Sequence, residues 1–73
     1  MGLGIGDVIT ETNTLNGVRK ARTWRVLHIG ALSQHGGELG LNVWAQCLSE
    51  KRHTKGGLHI ITTGLWLQQK ELS

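Results

Sequence analysis

At 73 residues the chain has room for one domain, and a single core of this size yields about 3–5 kcal/mol of net stability. It contains no Phe, Tyr or Pro, so Trp24, Trp44 and Trp66 carry all the aromatic area, and the lone Cys47 excludes an intrachain disulfide or a cysteine-paired zinc site. Eight Lys and Arg against five Asp and Glu give a formal charge of +3, and no run approaches the roughly 18 apolar residues of a membrane-spanning helix.

In chain order, residues 1–6 read as a flexible lead-in. Met1 to Gly6 has neither the basic start nor the apolar stretch of a secretory signal, and Gly6 stands where a myristoylation signal wants Ser or Thr. The expectation is a cytoplasmic protein with one folded unit over 7–73. From Asp7 to Ile29 the residues are rich in Thr, Val and Ile, and Asn16-Gly17 lies between them. That dipeptide is the strongest short hairpin signal. As a two-residue turn it sets Leu15 opposite Val18, Asn13 opposite Lys20, Glu11 opposite Arg22 and Ile9 opposite Trp24, all on one side of the ribbon. An ion pair between Glu11 and Arg22 is expected.

Past Trp24 the alternation breaks, since Val26 shares its parity while Leu27 and Ile29 take the other, which predicts a bulge or a bend. Gly30 then opens an expected loop over Ala31 to Gly40. The third strand is the clearest: Leu41, Val43, Ala45 and Cys47 point one way, as core, with Asn42, Trp44, Gln46 and Leu48 on the other side. Ser49 to Gly57 reads as a charged turn, and Leu58 to Thr63 as a fourth strand ended by Gly64. Residues 65–73 read equally as a short helical turn or a fifth strand. Trp24, facing Ile9, and Trp66, among leucines, are assigned to the core.

The expected fold is all-β, a small partly open barrel of four to five strands. The order of Gly6-Asp7-Val8-Ile9, Trp24-Arg25-Val26, Val43-Trp44 and Leu58-His59-Ile60-Ile61 resembles the SH3-like barrels over most of the chain. The resemblance implies a binding role, because barrels of that family usually grip nucleic acid or peptides. Leu58-His59-Ile60-Ile61 lacks the Gln and Tyr of the pore motif in the plasmid-borne dihydrofolate reductase barrels, so that activity does not carry over.

Seven of the eight cationic residues fall in two tracts, Arg19, Lys20, Arg22 and Arg25 in the first hairpin and Lys51, Arg52 and Lys55 in the third-to-fourth connection. Alternate connections of a meander emerge at one end, so the two tips converge on a surface able to neutralise phosphates. Strand alternation works against this, sending Arg19 and Lys20 to opposite faces. Trp44, between Asn42 and Gln46, sits where a base-stacking aromatic belongs, though burial under the first hairpin or in a dimer contact is the favoured place in a core so short of aromatics. His28, His35, His53 and His59 show no metal-ligand spacing, and the acids offer no pair for acid/base work, so neither a metal, a cofactor nor an enzyme is expected.

The sequence therefore predicts a nucleic-acid-binding accessory protein of a phage or plasmid, contacting phosphates without sequence specificity through the two tips. The rival expectation is an inhibitor or adaptor module that grips a protein, an acidic one on charge grounds, through exposed Trp and strand edges. Either way a homodimer or higher homo-oligomer is expected to supplement a marginal core, and no membrane partner is.

Overall fold

In the computed structural model, which describes residues 2–68, the chain is all-β: four antiparallel strands in one sheet, each paired with the next in sequence. They are β1 (Val8–Leu15), β2 (Val18–His35), β3 (Glu38–Thr54) and β4 (Gly57–Gln68). Asn16 and Gly17 both take positive φ, 51° and 78°, as a type I′ turn demands, and the β1–β2 register is the one that turn dictates, from Leu15↔Val18 through Glu11↔Arg22 and Ile9↔Trp24 to Val8↔Arg25.

The break in alternation after Trp24 is a bulge. Val26 pairs with Ala45 but His28 with Trp44, so Leu27 is the extra residue that shifts parity. A second irregularity follows, where Gly30 and Ala31 lie between the pairs Ile29↔Val43 and Leu32↔Leu41 and face Asn42 alone. Asn42 closes it, its Nδ2 donating to the Ala31 carbonyl and to Ser33 Oγ, both at 2.8 Å.

Two expected loops are strand instead. Residues 31–35 continue β2 and 38–40 begin β3, joined by Gly36-Gly37 alone, both with positive φ (58° and 83°). The pair of glycines thus makes a tight hairpin rather than a loop. Likewise 49–54 extend β3, and only Lys55-Gly56 turns. The β3–β4 register jumps between Gln46↔Thr62 and Lys51↔Ile60, which leaves four residues of β3 against Ile61 and bends this hairpin away from the rest. Residues 65–68 are strand, not helix; the remainder of that segment, 69–73, lies outside the described residues.

One face of the sheet, here the inner face, carries the core. Trp24, Ala45 and Cys47 form one buried cluster, with Ile9, Ile61 and Leu65 against it, and Val26, Val43 and Leu67 form the next, with Leu3 and Leu41 against it. Leu41, Val43, Ala45 and Cys47 thus share one face, as their parity requires. Within the stretch expected as a flexible lead-in, Gly6 N donates to the Val26 carbonyl (2.8 Å) and Gly4 N to Asp7 Oδ2 (2.7 Å), which holds Leu3 over the second cluster.

The sheet is not closed into a barrel. β1 and β4 are its two edges, separated by a cavity of about 470 Å3 lined by Ile9 to Asn13 on one side and Trp66 to Gln68 on the other. Trp66 is not a core residue. It points to the outer face, lies over Gly40, donates from Nε1 to the Ser33 carbonyl (3.2 Å) and meets His35 edge-to-face at 4.9 Å.

Candidate nucleic-acid interface

The turns at 16–17 and 55–56 lie at the same end of the meander, because β1 and β3 run together and β2 and β4 run back. All seven cationic residues of the two tracts therefore belong to this half of the molecule. The last pairing between the two hairpins is Trp24↔Cys47, and beyond it they separate. What ties them there is a set of side chains on β3. Ser49 Oγ accepts from Thr23 N (3.1 Å), and Glu50 reaches Arg22 Nε at 3.0 Å and Lys20 Nζ at 3.2 Å.

Alternation then sorts the cations between the faces. Trp24 points inward, so Arg22 and Lys20 share the inner face while Arg25 and Arg19 point outward. On the second hairpin Ile61 packs into the inner cluster, so its neighbour Ile60 faces outward and takes with it Lys51, its cross-strand partner; Arg52, paired with His59, falls on the inner side. Lys55 occupies the turn itself. The two tips thus share an end, but the cations form two surfaces rather than one.

Those surfaces differ in charge. On the inner side Glu11 and Glu50 accompany Lys20, Arg22 and Arg52, and both ends of the Glu50 carboxylate are engaged. The expected Glu11–Arg22 ion pair does not form: the two residues are opposed in register, yet the Arg22 guanidinium turns to Glu50. On the outer side Arg19, Arg25 and Lys51 are exposed, and the one acid among the described strand residues there is Glu38, beside the 36–37 turn at the far end.

Trp44 belongs to this outer face and is 46% exposed within the chain, so the expected burial under the first hairpin is corrected. The first hairpin pairs edge-on with β3 and never folds over it, which leaves the ring uncovered. Its cross-strand neighbours are His28 on β2 and Gly64 on β4; a Cβ at Gly64 would sit 3.8 Å from the ring, so the indole leans over that glycine. Arg25, paired with Gln46, is one step along the same face. Leu48, Leu58 and Ile60 are exposed apolar residues on the same hairpin.

Cys47 sits in the inner cluster. Burial alone would raise its thiol, but hydrogen bonding with the Ser49 hydroxyl and with the backbone of Glu50 and Ser49 outweighs this and holds it below the usual range. Among the described residues no three His, Cys, Asp or Glu side chains gather as a metal site. No helix there is long and apolar enough to cross a membrane.

Glu50 and His28 were missed by sequence reading. The neighbour of His28 is set by the β2–β3 register and the reach of Glu50 by the bulge over 47–50 in β3–β4, and bulges hide both from any counting rule. Removing the Glu50 charge gives a direct check on the clamp. Glu50→Gln is expected to lower stability by well under 1 kcal/mol, since all three partners are solvent-screened. It should also raise affinity for a polyanion several-fold at low salt, read by fluorescence anisotropy, because Lys20 and Arg22 are released.

The chain matches no family model, no curated protein and no solved structure.

Proposed function

We propose that this protein is a nucleic-acid-binding accessory protein that grips the phosphate backbone without reading base sequence. The observation that carries the reading is the outer face: an exposed Trp44 flanked by Arg25 and His28, with Arg19 and Lys51 on the same side and no acid among the described strand residues near them. Phosphate neutralisation and base–aromatic stacking are the two ingredients of sequence-tolerant binding. The resemblance of Gly6-Asp7-Val8-Ile9 and Val43-Trp44 to SH3-like barrels, many of which grip nucleic acid, supports the same assignment. Lys55 at the β3–β4 turn extends the cationic track, while Lys20, Arg22 and Arg52 contribute from the inner side.

Salt dependence tests it. About four phosphate contacts give a slope of log K against log salt near −3, so affinity for an oligonucleotide falls about fiftyfold between 50 and 200 mM salt. Affinity that is flat over that range, or absent at 50 mM, removes the assignment.

A second reading has its own observation. Leu48, Leu58 and Ile60 are exposed on the β3–β4 hairpin, and β1 and β4 are unpaired edges, which is the surface of a module that grips a protein or a second copy of itself. It predicts that the apolar residues matter and the arginines do not.

A further inference from the structure

We infer that the ligand is a single strand laid across the outer face, its bases stacking on Trp44 and Trp66, and not a duplex. This rests on the nucleic-acid reading above and adds the form of the ligand and its path.

The outer face holds a row of ring side chains. His28 and Trp44 are a cross-strand pair, and Asn42, two residues from Trp44 on β3, pairs with Trp66. The two indoles are therefore diagonal neighbours on one face, with backbones about 7–8 Å apart. Trp66 is held in place by the Ser33 carbonyl and by the edge-to-face contact with His35, and it leans on Gly40 with no side chain beneath it. Trp44 reaches over Gly64 more loosely, with a Cβ there 3.8 Å from its ring. Trp44, 46% exposed, keeps ring surface on the solvent side and requires no reordering to receive a base, while the half-buried Trp66, fixed by its hydrogen bond and by His35, offers the smaller second platform.

Cations flank the row on one side only. Arg25 and Arg19 run toward the 16–17 turn on β2, and Lys51 lies on the second hairpin. A strand crossing the face with its bases on the indoles meets these groups with its phosphates. The anionic end of the face, at Glu38, lies beyond Trp66 near the 36–37 turn and marks where the track stops.

A duplex offers no base faces to such a row, since its bases are stacked on one another. The alternative for a duplex is insertion of a hairpin into the major groove, which accepts a two-stranded ribbon. The β1–β2 ribbon divides its charge between its two sides, with Arg19 and Arg25 alone on the outer one. Its inner side carries Lys20 and Arg22, both engaged by Glu50, together with Glu11, and its β1 strand adds no cation.

The test uses the full chain with a 12-nucleotide single-stranded DNA of mixed sequence and the matching duplex, at 50 mM salt, read by anisotropy and by quenching of intrinsic tryptophan emission. The single strand is expected to bind at least tenfold more tightly than the duplex and to quench. Trp44→Ala should cost about tenfold in single-strand affinity and remove most of the quenching, and Trp44→Phe should keep most of the affinity. Trp44 is exposed, so both variants retain the fold, checked by circular dichroism. Equal or tighter duplex binding, or a Trp44→Ala variant that binds the single strand as wild type does, overturns the stacking path while leaving nucleic-acid binding in place. No binding of either form overturns both.

Discussion

Gly40→Ala is expected to remove a large part of this domain's stability, although it adds a single methyl group. A Cβ at Gly40 would lie 2.2 Å from Trp66 Cε2 and 2.5 Å from both Cζ2 and Nε1. Carbon atoms pack at about 3.5–4.0 Å, so the ring must move by more than 1 Å. It has nowhere convenient to go, because Nε1 is bonded to the Ser33 carbonyl and the ring packs edge-to-face with His35. Overpacking of this kind typically costs about 1–3 kcal/mol and sometimes more, against roughly 3–5 kcal/mol of total stability at this length. Thermal melting followed by circular dichroism should show a large drop in Tm or no transition. Gly64→Ala is the control, since a Cβ there meets Trp44 at 3.8 Å, an ordinary contact, and its melting should be near wild type. Adding Trp66→Leu to Gly40→Ala should restore part of the loss, as a steric clash requires. A Gly40→Ala protein that melts within a few degrees of wild type would show that Trp66 does not pack on this glycine.

The same site explains how far the fold could be read in the sequence. Local rules worked where one interaction dominates. Asn16-Gly17 fixed eight cross-strand pairs, since only residues tolerant of positive φ close that turn, and the parity of Leu41 to Cys47 identified the inner face because burial has a period of two. Leu27 announced its bulge by breaking that period. Rules failed where the determinant is a distant partner. Glycines at 30, 36 and 37 suggested a loop, but the Ala31 carbonyl is satisfied by Asn42, eleven positions away, and the segment remains in the sheet. Residues 49–54 show no alternation because much of that hairpin is solvent-exposed on both sides.

The candidate site divides along the same line. The cationic tracts and the polar-side position of Trp44 were legible, because they depend on sequence neighbours and on alternation alone. The exposure of Trp44 was not, because it depends on whether β1–β2 folds over β3 or lies beside it. The partner of Arg22 was misassigned for a related reason. Glu11 stands opposite it in register, but Glu50 comes from a strand with which Arg22 is not paired, and the bulge over 47–50 is what swings that carboxylate toward β2.

That division of the cations yields a second strong expectation, and it separates a surface from mere net charge. Consider two double variants, Arg25→Gln with Lys51→Gln, and Lys20→Gln with Arg22→Gln. Each takes the formal charge from +3 to +1, because each removes two unit charges. If net charge alone drew nucleic acid to the protein, the two would bind alike. The outer pair, however, is exposed on the face of Trp44, whereas the inner pair already shares the Glu50 carboxylate and yields little to a phosphate. Each lost phosphate contact lowers the salt slope by about 0.7, which at 50 mM is worth close to eightfold. Arg25→Gln with Lys51→Gln should therefore weaken oligonucleotide binding roughly sixtyfold and flatten the slope by about 1.4. Lys20→Gln with Arg22→Gln should change affinity by less than about threefold, since both side chains lie on the inner face, turned away from the bound strand and screened from it. Anisotropy titrations at several salt concentrations read both numbers at once. Equal losses from the two variants would mean that the outer face has no special part in binding, and a larger loss from the inner pair would move the interface to the cleft between the hairpins.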